Sequence, residues 1–139
     1  MLDFLKGFAA AGLPALGAGH PVELGVLGLF AVIMGHSFSC FMKFRGGKGV
    51  ATTMGGLLAL APWVFLIGAV VWVAVFQTTR YVALASIAFA VVLPAASLLL
   101  GRPFTLTVFF LLVAALVVIR HRGNLERLRA GTEFRYTKK

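Results

Sequence analysis

Between Gly35 and Thr53 the sequence sets cations among glycines: Gly35 and His36 are followed by Lys43, Arg45, Gly46, Gly47, Lys48 and Gly49. Glycines let backbone N–H groups approach a ligand, and Arg45 and Lys48 bring positive charge to the same place, a combination suited to phosphate. The run from Val50 to Met54 reads as a helix. Its first turn would aim N–H groups and the positive dipole end back at the glycines. A Walker A loop does not fit, because Met42 and Gly49 stand where a glycine and a Ser or Thr are needed. The plainer alternative is a glycine-rich turn whose Lys43, Arg45 and Lys48 only anchor the cytoplasmic ends of two membrane helices.

The elements that must position this loop are apolar. The chain has 139 residues, 60% of them hydrophobic, a mean hydropathy of +0.99 and four acids, which excludes an ordinary soluble domain and predicts an all-α, polytopic membrane helix bundle. We read residues 1–139 as a single integral membrane domain of about six segments, with 120–139 a basic cytoplasmic C-terminal tail. The net charge of +9 lies in short gaps between apolar runs, so membrane orientation explains it and nucleic acid is not expected as a partner. Cys40 has no second cysteine, and no His or Cys pair has metal-ligand spacing, so neither metal nor cofactor is expected.

Segment one covers 2–18 and ends at Gly19, His20 and Pro21; we read His20 as a solvated loop histidine. Asp3 and Lys6 would be costly in lipid unless they pair or face the bundle interior, and the start resembles the middle of a helix, so a segment is expected upstream. Segment two covers 24–42, with Gly25, Gly28 and Gly35 on or near one face, and delivers His36 to the glycine loop. Segment three, 49–61, is too short for a bilayer and reads as a half-length helix stopped by Pro62, a break tolerated where backbone lines a polar cavity. Segments four (63–79), five (81–100) and six (104–119) are conventional, with a kink expected at Pro94. Ser86 reads locally as a hydroxyl bonding back to the carbonyl four residues earlier. In the tail Arg129 and Glu133 have helical i,i+4 spacing. If the segments alternate, eleven of the thirteen Lys and Arg share one side, which is then cytoplasmic, and the 46–49 loop, Ser86, His121 and Asn124 share that face.

Four stretches resemble a known family. Residues 35–52 resemble the pattern GHxxxxFxxFxGGKGVAT at every fixed position, and 120–133 resemble RHxxNIxRLxxGxE with Leu125 in place of Ile. Thr79 to Ile87 is similar to a stretch RYVSLxSI, with Ala83 for its first serine, and Asp3 to Gly7 to a DxxKG motif. These are patterns of the bacterial acyl-phosphate:glycerol-3-phosphate acyltransferases, the PlsY-like family. The resemblance implies a seven-span fold of which the first helix, and a glycine-rich motif after it, are not in this sequence. A truncated gene or misplaced start codon would explain that.

The implied reaction moves an acyl group from acyl phosphate to the sn-1 hydroxyl of glycerol 3-phosphate, giving lysophosphatidic acid for phospholipid biosynthesis. It is substrate-assisted in the family, with no catalytic side chain. A His and Asp dyad spaced HxxxxD is absent, since Phe41 lies five residues after His36. By resemblance Lys48, His121, Asn124 and Ser86 bind substrate; Arg45, Gly46, Gly47 and Gly49 form the phosphate loop; His36, Arg120, Arg127 and Glu133 support them. Expected partners are the two substrates and membrane lipid, around a monomer in the cell (inner) membrane. The alternatives are a small-molecule transporter or channel subunit, motivated by the broken helix, or an inactive fragment of the acyltransferase.

Overall fold

A computed structural model describes residues 1–16, 22–38 and 46–137. Among them lie seven helices and no strand: α1 (Leu2–Leu16), α2 (Val22–Ser37), α3 (Val50–Leu60), α4 (Pro62–Thr79), α5 (Val82–Leu99), α6 (Phe104–Arg120) and α7 (Arg122–Arg129). The chain divides into two compact units, Met1–Phe65 and Leu66–Lys139.

In the first unit α1, α2 and α3 meet through glycines. A β-carbon on Gly7 of α1 would overlap the Thr52 carbonyl oxygen of α3, and one on Gly55 of α3 would overlap the Phe4 carbonyl oxygen of α1. Gly25 and Gly28 of α2 lie in the same way on the Ala11 and Ala10 carbonyls, while Gly56 makes room for Leu29. Lipid tails are as apolar as leucine, so association in a bilayer depends on such close backbone packing. Leu29, Ile33 and Leu57 fill the space between. Gly35 is exposed, and among the described residues nothing lies within 4 Å of where its β-carbon would be, so it takes no part in this close packing.

Helix α3 has 11 residues and therefore rises only about 16 Å, the half-length element the sequence implies. It starts at Val50 because Gly49 adopts φ 76°, a left-handed backbone that favours glycine. At its other end Pro62 opens α4, where a missing N–H costs nothing. The expected reach of segment two to Met42 lies partly outside the described residues; α2 itself ends at Ser37.

In the second unit α4 and α5, of 18 residues each, are long and apolar enough to cross a membrane, and α6 continues into α7 through a 55° bend. Gly68 of α4 admits Phe89 of α5, and α5 packs on α6 around Phe89, Leu93, Phe110 and Val113. The buried hydroxyls of Ser97 and Thr107 join the two helices at 2.9 Å. Helix α5 continues through the buried Pro94. The tail is more structured than its composition suggests. Gly131, at φ 69°, ends α7, so Glu133 lies beyond the helix and its spacing from Arg129 is not a helical one. The chain instead returns to the α4–α5 turn, where the Tyr136 N–H donates to the Arg80 carbonyl at 2.9 Å and Tyr136 tilts against Phe76.

Candidate active site

The 46–49 loop lies on the C-terminal end of α2. A β-carbon at Gly46 would overlap the His36 carbonyl oxygen, and one at Gly47 would overlap His36 Nε2. These two glycines are therefore required by packing on His36 as well as by any approach of ligand to backbone. Gly49 is buried beside Ile33 and Ser37, with Ser37 Oγ 3.3 Å from where its β-carbon would be. Lys48 is exposed. Arg45, the remaining cation assigned to the phosphate loop, lies outside the described residues.

After the loop, Thr53 closes the first turn of α3: its N–H and its hydroxyl both donate to the Gly49 carbonyl at 2.9 Å. Among the described residues no side chain caps the start of α3. The buried hydroxyls of Ser37 and Thr52 have no hydrogen-bond partner among the described residues, an arrangement that costs stability unless something else satisfies them. On the other side of His36, Lys6 Nζ of α1 lies 2.9 Å from its Nδ1 and 2.7 Å from Asp3 Oδ1.

In the second unit the bend between α6 and α7 carries five assigned residues. His121 is only 2% exposed, and its Nδ1–H donates to the Val117 carbonyl at 2.8 Å. Asn124 Nδ2 donates to Glu133 Oε1 at 2.6 Å, and Arg127 Nε donates to Glu133 Oε2 at 2.7 Å. Glu133 thus bridges the buried amide and the half-exposed guanidinium. Arg120, half-buried at the last turn of α6, stands next to His121 in the chain.

Ser86 is buried one turn into α5. Its hydroxyl donates to the Val82 carbonyl at 2.8 Å and accepts from Trp72 Nε1 at 3.4 Å. The bond to Val82 is the local reading of a helical serine; the indole is a contact that the residue pattern does not announce. Trp72 stacks on Phe76 at 5.2 Å.

The family model described as Glycerol-3-phosphate acyltransferase matches residues 1–131. The chain belongs to the glycerol-3-phosphate acyltransferase family. A relative from Syntrophomonas wolfei, named glycerol-3-phosphate acyltransferase, is 43% identical over 137 residues, which are 99% of this chain and 69% of that protein. Another from Moorella thermoacetica is 43% identical over 136 residues, 95% of this chain and 67% of that one. The chain therefore spans about two thirds of the length of these relatives. Among solved structures, it is similar to PlsY, an integral membrane glycerol 3-phosphate acyltransferase, in its glycerol 3-phosphate form. The TM-score is 0.91 at 36% identity, covering 98% of this chain and 68% of that one. The lysophosphatidic acid form of PlsY matches with a TM-score of 0.90.

Four further side chains, Ser37, Thr52, Lys6 and Trp72, stand beside the assigned residues or their motifs. Ser37 follows His36, and Thr52 ends the loop motif; both are hydroxyls inside a motif, a signal that could have singled them out. Lys6 was legible as a partner for Asp3 within the DxxKG-like stretch, a pairing that forms at 2.7 Å, but its contact with His36 was not. Trp72 lies in an apolar run and gives no signal at all.

Proposed function

We propose that this chain transfers an acyl group from an acyl phosphate to the sn-1 hydroxyl of glycerol 3-phosphate, releasing lysophosphatidic acid and inorganic phosphate. The observation that carries this reading is the family match over residues 1–131, which takes in the glycine loop, the Ser86 stretch and nearly all of the His121 stretch at once. In the step, the sn-1 oxygen attacks the acyl carbon, the bond from that carbon to the phosphate oxygen breaks, and the hydroxyl proton passes to a substrate phosphate. A mixed anhydride is already activated. The protein's task is then to bring two anions together and stabilise the charge that develops, which needs cations and oriented N–H groups more than a nucleophile.

In this reading Lys48 reaches a phosphate, with Arg45 adding positive potential and the backbone of Gly46, Gly47 and Gly49 supplying N–H groups. His121 and Asn124 hold the glycerol phosphate. Ser86 contacts phosphate, and His36, Arg120, Arg127 and Glu133 hold these groups in place. The enzyme works as a monomer in the cell (inner) membrane, with its active face and C-terminus cytoplasmic, and needs no cofactor.

The test is incubation of labelled glycerol 3-phosphate and acyl phosphate with the chain in detergent micelles. It is assayed alone and joined to the first helix and glycine-rich motif that the family carries. Labelled lysophosphatidic acid is the expected product, and none from a folded, extended chain overturns the reading. A reporter fused after Lys139 should be active in its cytoplasmic form; activity only outside the cytoplasm contradicts the orientation.

A further inference from the structure

Three ionisable side chains converge beside the glycine loop. Lys6 Nζ stands 2.7 Å from Asp3 Oδ1 and 2.9 Å from His36 Nδ1, while Asp3 Oδ1 is 3.4 Å from the same Nδ1. The side chains are 38%, 46% and 17% exposed for Lys6, Asp3 and His36, so all three are partly withdrawn from solvent within an apolar helix unit. Ionisable groups are kept in such surroundings at a cost, and a partner and a task are expected of them.

An ammonium has three donors and no acceptor, so its contact with Nδ1 is a hydrogen bond only if Nδ1 offers its lone pair. The ring proton then sits on Nε2. Nε2 is the edge turned to the loop, since a β-carbon on Gly47 would overlap it. Asp3 holds the ammonium from the other side, and without Lys6 its carboxylate would favour a proton on Nδ1.

We propose that Asp3, Lys6 and His36 form a positioning relay: the ammonium of Lys6 fixes the His36 tautomer, so that Nε2–H faces the loop backbone and seats the Gly46-Gly47-Lys48 turn for phosphate. Lys6 and Asp3 act through His36 and touch no substrate. The inference deepens the acyltransferase reading and rests on it for the role of the loop, but the tautomer itself can be read without any turnover.

The experiment is nitrogen NMR of histidine-labelled chain in micelles, with the His36 signals assigned by loss in His36→Gln, alongside steady-state kinetics. Wild type and Lys6→Arg should both show the Nε2-protonated ring. Lys6→Met should move the proton toward Nδ1 and raise the KM for glycerol 3-phosphate about tenfold, the size expected for one charge-assisted contact, with a smaller change in kcat. Asp3→Asn should keep the wild-type tautomer. A merely structural Lys6 would lower thermal stability in Lys6→Met and leave the tautomer where it was, which overturns the proposal. A tautomer that shifts while KM stays constant in an active chain overturns it as well. A folded wild-type chain without turnover, whose tautomer still follows Lys6, supports the relay and counts against the acyltransferase reading alone. Should Lys6→Met not fold, Lys6→Gln and Lys6→Arg carry the comparison.

Discussion

Glu133 receives the amide of Asn124 on one carboxylate oxygen and the guanidinium of Arg127 on the other, at 2.6 and 2.7 Å, although nine residues separate it from the first and six from the second. The carboxylate side chain is 8% exposed and the Arg127 side chain 52%, so most of the stabilisation resides in the buried amide contact. Glu133→Gln keeps the shape and removes the charge. It should raise KM for glycerol 3-phosphate about tenfold, the equivalent of losing a charge-assisted hydrogen bond of about 1.5 kcal/mol. Arg127→Gln, which removes the exposed partner, should cost under threefold. Equal effects of the two in KM measurements would show that the amide is not the important contact.

Gly7 and Gly55 sit on carbonyl oxygens of the facing helix, whereas Gly35 has none of the described residues within 4 Å of its β-carbon position. Gly7→Ala and Gly55→Ala force backbone apart and should each destabilise the chain by at least about 1–3 kcal/mol. Gly35→Ala should be neutral or stabilise slightly, because alanine favours a helix over glycine by about 1 kcal/mol. Thermal unfolding in detergent checks the order. A Gly35→Ala chain as unstable as Gly55→Ala would contradict the packing described for α1 and α3.

Lys48 is exposed on the loop ahead of α3. If it supplies charge to a phosphate, Lys48→Arg should retain more activity than Lys48→Ala or Lys48→Gln, with part of each loss appearing as a raised KM for glycerol 3-phosphate. Losing a charge-assisted contact costs about 1.5–3 kcal/mol, which is roughly tenfold to more than a hundredfold. Three equally inactive variants with unchanged substrate binding would point to proton transfer by Lys48 instead.

What was legible in the chain is what depends on neighbours in sequence. Apolar runs, the short interval from Gly49 to Pro62 and the glycine motif depend on local composition and spacing, so the helices, the half-length α3 and the family could be read directly. The partners of those residues could not. Arg129 and Glu133 have helical spacing, but Gly131 in a left-handed backbone ends α7 between them and hands Glu133 to Asn124 and Arg127. Gly46 and Gly47 look like ligand-facing glycines, and only the return of the loop onto α2 shows that His36 occupies the space their side chains would take. Lys6 and His36 lie 30 residues apart, and the crossing of α1 with α2 brings them to 2.9 Å. Sequence alone determined which residues are polar enough to matter. Close backbone packing at glycines, a long-range contact that no local pattern encodes, decided which of them touch within each unit.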